Sequence, residues 1–335
     1  MKKSMVFVFL YLLTVVPDLF AKPWPLGTLT TKDNVKGTCP AGSSCRVFDV
    51  TCPGVDAPGQ GEIAVASAIG KARGLVVFFT GSFGNNWWIK ENPEGGAFLD
   101  ELRKLGFTIV QVRWKGPWLA SSPGYDAGVA HLACRPATVI RHIYDNIYLP
   151  LGGSVSHSGE AGFCITGNSG GASQVSFALS HYGLENILDV VIPTGGPPHA
   201  DLHKACLDKE ELSASMRHLI DRSFGYVKND GPCLQRDPSV ASRWLQESVA
   251  TGGNDYNHPK TRINFLIGQK DGLMQRFGRI YYDRLRKEGS PMVTWETIPA
   301  TQHRISKTAN GLRSLKIAIL ESIQERPQSA SQMRD

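Results

Sequence analysis

The chain has 335 residues, 41% of them hydrophobic, and a formal net charge of +6. That is enough apolar material for a large core, either as one α/β domain or as one with an inserted cap. The charge is scattered, with no basic run and no interleaved aromatics, which excludes nucleic acid as an expected partner, and the chain carries neither internal repeats nor a long low-complexity tract.

The N-terminus reads as an export signal. Met1-Lys2-Lys3 is a basic opening, Met5 to Val16 is an apolar stretch, and Ala21 offers a small residue for cleavage before Lys22. The apolar stretch is short for a membrane span and is followed by Pro17 and Asp18, so no stable membrane insertion is expected after cleavage. Residues 1–21 are thus read as a signal peptide, 22–323 as the folded domain and the polar stretch 324–335 as a disordered tail. The expected location is secreted or periplasmic. Export permits disulfides. Of the seven cysteines, Cys164 lies inside an apolar run and reads as a buried free thiol. Spacing leaves the pairing of the other six open, with Cys206–Cys233 preferred as a short loop closure.

Cys45 to Val50 and Glu62 to Ala66 have strand composition and are joined by a Pro/Gly loop, the pattern of an antiparallel pair. Leu75 to Phe79 is a strand, 96–105 a helix, and Phe107 to Val112 a strand. Asp126 to Tyr148 is a long helical region, followed by a short apolar run from Gly162 to Thr166 and helix-compatible spacing from Gly171 to His181. Asp189 to Ile192 and Ile263 to Ile267 are further strands. A helix at about 275–287 and a strand at 292–298 complete the pattern. Strands alternating with helices specify a mostly parallel sheet covered on both faces. The Ile192 strand runs out at Pro198, and roughly sixty-five residues separate that point from Ile263, far more than one crossover helix needs, so 197–260 is expected to be a cap or lid insertion.

The segment Gly167-Asn168-Ser169-Gly170-Gly171 stands between the Gly162 strand and the following helix. A chain that turns from strand to helix over so few residues forces its apex into strained backbone geometry, and the neighbours must be small for the two elements to pack. This is the G-x-S-x-G elbow with Ser169 at its apex. Asp271 follows the Ile263 strand, and His303 follows the 292–298 strand. In a parallel sheet the C-terminal ends of such strands share one edge, where ligands bind.

Motif, chain order and spacing together resemble the serine hydrolases of the α/β-hydrolase fold, over most of the chain. The resemblance implies a catalytic Ser169–His303–Asp271 triad, a covalent acyl-enzyme and no metal or organic cofactor. It also implies an oxyanion hole made by the N–H of Gly170 and a second N–H from the loop after the Leu75 strand. That loop, Thr80-Gly81-Ser82-Phe83-Gly84, is Gly-rich, and Ser82 is the expected donor, although Thr80 stands where the family often has His. Four tryptophans, Trp87, Trp88, Trp114 and Trp118, follow strands on the same edge. With Phe83 and Tyr125 they are expected to line a substrate cleft, although for Trp114 and Trp118 loop packing is an equal reading.

Asp201 is a rival triad acid. His199 and His203 are spaced i, i+4 but lack the intervening glutamate of a zinc hydrolase helix, and a surface or cap role is expected for both. The expected activity is hydrolysis of a carboxylic ester, small or polymer-linked. A secreted peptidase on the same fold and a catalytically silent binding protein are the alternatives.

Overall fold

The computed structural model describes residues 22–33, 39–92, 94–152, 161–208 and 212–324. The expected signal peptide and nearly all of the expected tail therefore lie outside the described residues. The strands are β1 (Thr28–Asp33), β2 (Ser44–Thr51), β3 (Gly59–Ala66), β4 (Gly74–Phe79), β5 (Phe107–Trp114), β6 (Gly162–Asn168), β7 (Val190–Thr194), β8 (Arg262–Gly268) and β9 (Val293–Ile298). Among the described residues they form one sheet in the order β1-β2-β3-β5-β4-β6-β7-β8-β9. The β1–β2, β2–β3 and β3–β5 pairs are antiparallel, and every pair from β5 through β4 to β9 is parallel. β1, a strand of Thr, Lys and Asp with little apolar content, is not anticipated by hydrophobic pattern; it pairs along the outer side of β2.

The central strands are buried on both faces, as their continuous apolar runs require. In β4, Leu75, Val77 and Phe79 join one core while Val76 and Phe78 join the other, the two-residue alternation of a pleated strand. The helices are α1 (Trp88–Glu91), α2 (Gly95–Lys104), α3 (Val129–Leu132), α4 (Cys134–Ile143), α5 (Gly170–Ser180), α6 (Leu202–Leu207), α7 (Ala214–Ser223), α8 (Pro232–Gln235), α9 (Ala241–Gln246), α10 (Gly272–Lys287) and α11 (Ala309–Leu320). Every residue of α5 is buried, which agrees with its lack of a polar face.

The long segment between β7 and β8 folds as α6 to α9. The Cys206–Cys233 disulfide ties α6 to α8. Backbone bonds from Ser121 to Arg222, from Gly124 to Gly225 and from Gly128 to Ser223 fasten the segment to the loop after β5. Cys39–Cys45 and Cys52–Cys134 are the other bridges, and Cys164 is a buried free thiol in β6. No described helix is long and apolar enough to cross a membrane.

Candidate active site

Ser169 separates β6 from α5 with φ 55° and ψ −115°, a conformation that a residue bearing a Cβ adopts only when its surroundings hold it there. Its N–H donates to the Thr194 carbonyl at 3.0 Å. The flanking glycines are required by contact. A Cβ on Gly167 would stand 2.4 Å from the Gly171 backbone, and one on Gly170 would stand 2.6 Å from the Ser82 carbonyl oxygen and 2.9 Å from the Ser82 nitrogen. The loop after β4 is thus pressed against the first turn of α5, and a Cβ on Gly81 would lie 3.4 Å from that of Ser169. Ser82 is itself held at φ 48°. Gly170 opens α5, where N–H groups have no intrahelical acceptor.

Asp271 caps α10 through a bond from the Met274 N–H at 3.4 Å. Its Oδ2 lies 2.6 Å from His303 Nδ1, and because a carboxylate only accepts, Nδ1 carries the proton. The Asp271 side chain is 9% exposed and that of His303 39%, so the pair has a closed side and an open side. The histidine is also placed relative to Ser169. A Cβ on Gly195 would meet the His303 carbonyl at 2.6 Å, its Cε1 at 3.3 Å and Asn168 Oδ1 at 3.0 Å. Gly195 directly follows Thr194, the acceptor of the Ser169 N–H. The exits of β6, β7 and β9 therefore converge on one point, with β8 supplying the carboxylate.

The rival acid is elsewhere engaged: Asp201 caps α6 by accepting from Lys204 N–H at 2.9 Å. His199 and His203 do not form a pair. His203 is half-buried on α6, whereas His199 is buried with its Nδ1 2.8 Å from Ser173 Oγ, one turn into α5. Burial pushes the His199 pKa down to about 3, so it is neutral at ordinary pH. A surface position for His199 is corrected: it opens the 197–260 segment but is buried beside α5.

The cleft reading of Trp87 and Trp88 is corrected as well. Trp87, Trp88, Trp114 and Trp118 are all at most 5% exposed. Trp88 packs between Phe78 and Phe98, and Trp87 lies under the Arg113 guanidinium. Trp114 donates its indole N–H to Gln174 at 3.0 Å. Trp87 and Trp88 thus complete the core, whereas Trp114 and Trp118, although buried, border a cavity of about 360 Å³ together with Arg135 and the 57–60 loop. Trp118 is placed with a purpose that sequence alone does not reveal: its Nε1–H donates to the Ser82 carbonyl at 3.3 Å. The Trp118 backbone carbonyl in turn accepts from the buried Arg135, which also binds the carbonyls of Ala120 and Ala57. Phe83 is half-buried with the Arg222 guanidinium of α7 5.8 Å from its ring centre, and Tyr125 is exposed.

No family model and no curated protein matches the chain. Solved structures do. The Pyrobaculum calidifontis esterase is 15% identical, with 83% of this chain and 84% of that one covered at a TM-score of 0.50. Carboxyl esterase 2 from the fungus Tuber melanosporum is also 15% identical, with 93% and 94% covered at 0.52. A puromycin-hydrolysing peptidase from Mycobacterium tuberculosis is 13% identical, with 88% of this chain and 42% of that one covered at 0.50. Likeness over this much of the chain, joined to the parallel sheet and the strand–elbow–helix at Ser169, establishes that the chain has the α/β-hydrolase fold.

Proposed function

We propose that this chain is an exported serine hydrolase that cleaves carboxylic esters through Ser169, His303 and Asp271. The observation that carries the reading is the 2.6 Å Asp271–His303 bond with the imidazole lying against Gly195, beside the strained elbow of Ser169. In the reaction, Ser169 Oγ attacks the ester carbonyl carbon while His303 Nε2 takes the hydroxyl proton. Asp271 keeps Nδ1 protonated and stabilises the imidazolium. The carbonyl oxygen becomes an oxyanion against the N–H groups of Gly170 and Ser82, each such donor being worth about 2.7–4 kcal/mol. The tetrahedral species collapses, the alcohol leaves with the proton from His303, and the acyl-serine is hydrolysed by the same steps with water as nucleophile.

The segment 197–260 serves as the cap in this reading, with Arg222 reaching the Phe83 ring as the link to the oxyanion loop. Phe83, next to Ser82 in the loop after β4, is the proposed aromatic wall of the site. Three disulfides support passage through an oxidising compartment. The substrate class is a carboxylic ester, free or attached to a polymer, as in the esterases that share the fold.

The test is to treat the mature protein and Ser169→Ala with a fluorophosphonate probe while following p-nitrophenyl acetate hydrolysis. Labelling and turnover that both disappear in the variant are expected. Labelling without ester turnover would move the reading to amide substrates, and no labelling of folded protein would remove Ser169 as the nucleophile.

A further inference from the structure

The far end of α5 carries a second cluster of hydroxyl, imidazole and carboxylate groups. Glu185 lies in the turn Leu184–Ile187 that precedes β7, and Asp255 and His258 lie in the loop that precedes β8. Both strands begin there, so the cluster sits on the sheet edge opposite Ser169. His258 is 1% exposed. Its Nε2 lies 3.2 Å from Ser180 Oγ, which is 2.7 Å from the Tyr281 hydroxyl. Its Nδ1 is buried without a hydrogen-bond partner. The Glu185 Oε2 atom is 3.8 Å away, beyond hydrogen-bond reach.

Both carboxylates are held by backbone. Glu185 Oε1 accepts from the Lys260 N–H at 3.0 Å, and Asp255 Oδ1 accepts from the Asn257 N–H at 2.8 Å. One imidazole nitrogen of His258 and one oxygen from each carboxylate all lie within 4.8 Å of one another. A cavity of about 180 Å³ opens among these three residues.

We infer that this is a binding site for a divalent zinc ion, with Glu185, Asp255 and His258 as ligands and water completing the tetrahedron. Two ligands that each bind one ion at about 2.0–2.2 Å stand 3–4 Å apart, which accounts for a 3.8 Å gap too long for a hydrogen bond. The zinc site takes the tautomer in which Nε2–H is donated to Ser180 Oγ, 3.2 Å away, so that the Nδ1 lone pair faces the carboxylates, the usual outer support of a metal-binding imidazole. The site lies at the C-terminal end of α5, where the helix dipole favours positive charge. One nitrogen and two carboxylates suit zinc, whereas calcium takes about six to eight oxygens. The ion would tie the turn before β7 to the loop before β8, remote from Ser169, as a structural clamp.

The test uses the full mature chain stripped with EDTA and titrated with zinc chloride by calorimetry. One equivalent is expected to bind, and the melting temperature should rise by about 4 °C at a hundredfold excess over Kd. The double variant Glu185→Gln/Asp255→Asn should bind zinc at least about a hundredfold more weakly and lose that shift. Cobalt(II) added to the wild type gives an independent readout, with the visible absorption of a tetrahedral nitrogen–oxygen site expected. Absence of stoichiometric zinc binding, unchanged binding in the double variant, an octahedral cobalt spectrum or stabilisation by calcium alone would each overturn the assignment.

Discussion

Helix α5 ends in two clusters built from the same residue types, and only one of them resembles an enzyme site. At its start are Ser169, His303 and Asp271; at its end are Ser180, His258 and Glu185. In the second cluster the serine contacts the imidazole at 3.2 Å and the imidazole faces the acid at 3.8 Å. The difference is in the backbone and the surroundings. Ser169 sits half-exposed at positive φ before the helix, beside N–H groups with no intrahelical acceptor. Ser180 is buried within the last turn, its hydroxyl also held by Tyr281 and its carbonyl accepting from Asn254 and Asp255. An oxyanion forming at Ser169 would meet the positive end of the helix dipole, and one at Ser180 the negative end. Residue types do not make a hydrolytic site; the orientation of the peptide groups around them does.

The comparison breaks most sharply under paired serine substitutions. Ser169→Ala should lower kcat by about a million-fold, whereas Ser180→Ala should leave turnover intact. The second change should instead cost about 1–3 kcal/mol in urea unfolding, because His258 Nε2 and the Tyr281 hydroxyl lose their shared partner. Peptide mapping of the fluorophosphonate adduct should find Ser169 alone. The acids separate next: Asp271→Asn should reduce kcat by about 10⁴-fold by imposing the wrong imidazole tautomer, and Glu185→Gln should not change it. Equal losses from both acids would show that the two ends are not functionally distinct.

How far the sequence makes this legible depends on whether a feature is local. The parallel strands and the elbow are readable because alternation, apolar runs and the spacing of Gly167, Gly170 and Gly171 are all written within a few residues. The insertion is readable from length alone. The four tryptophans are not, because a ring at a strand end has the same composition whether it lines a cleft or seals a core. β1 is hidden by its polar Thr-Lys-Asp composition, since its partner β2 supplies the order. Cys52–Cys134 joins positions 82 residues apart, and the cluster of Glu185, Asp255 and His258 joins two strand starts. Neither leaves a periodic signal.

Two other histidines extend the contrast to pH. His181 and His199 are buried, one at each end of α5, and desolvation pushes both down to about 3, with the nearby His131 adding to the effect on His181. Their unfolded value is about 6.5, so below that pH the unfolded chain takes up protons that the folded chain refuses. The stability they permit is whole above pH 6.5 and is lost as pH falls toward 3, by up to about 1.4 kcal/mol per pH unit for each imidazole. Urea midpoints at pH 7, 5.5 and 4.5 should trace this decline. His199→Gln, which keeps a group able to bond Ser173, should reduce the slope by one proton's worth. An unchanged slope would mean that His199 is protonated in the folded state.

The smallest effect concerns how the start of α5 keeps its geometry. The Ser82 carbonyl is held by Trp118 Nε1–H, and the Trp118 backbone is held by Arg135. The Ser82 nitrogen lies on the same short loop, close to Gly170, so in the proposed mechanism rotating the loop would withdraw the second oxyanion donor without disturbing substrate contacts elsewhere. Trp118→Phe removes the N–H while preserving most of the buried ring. It should lower kcat by about tenfold with KM unchanged, the scale of one hydrogen bond expressed only in the transition state. A purely packing role for Trp118 predicts a fall in melting temperature with kcat preserved. The contrast between the two ends of α5 rests on oriented N–H groups, and this substitution tests that orientation without touching Ser169, His303 or Asp271.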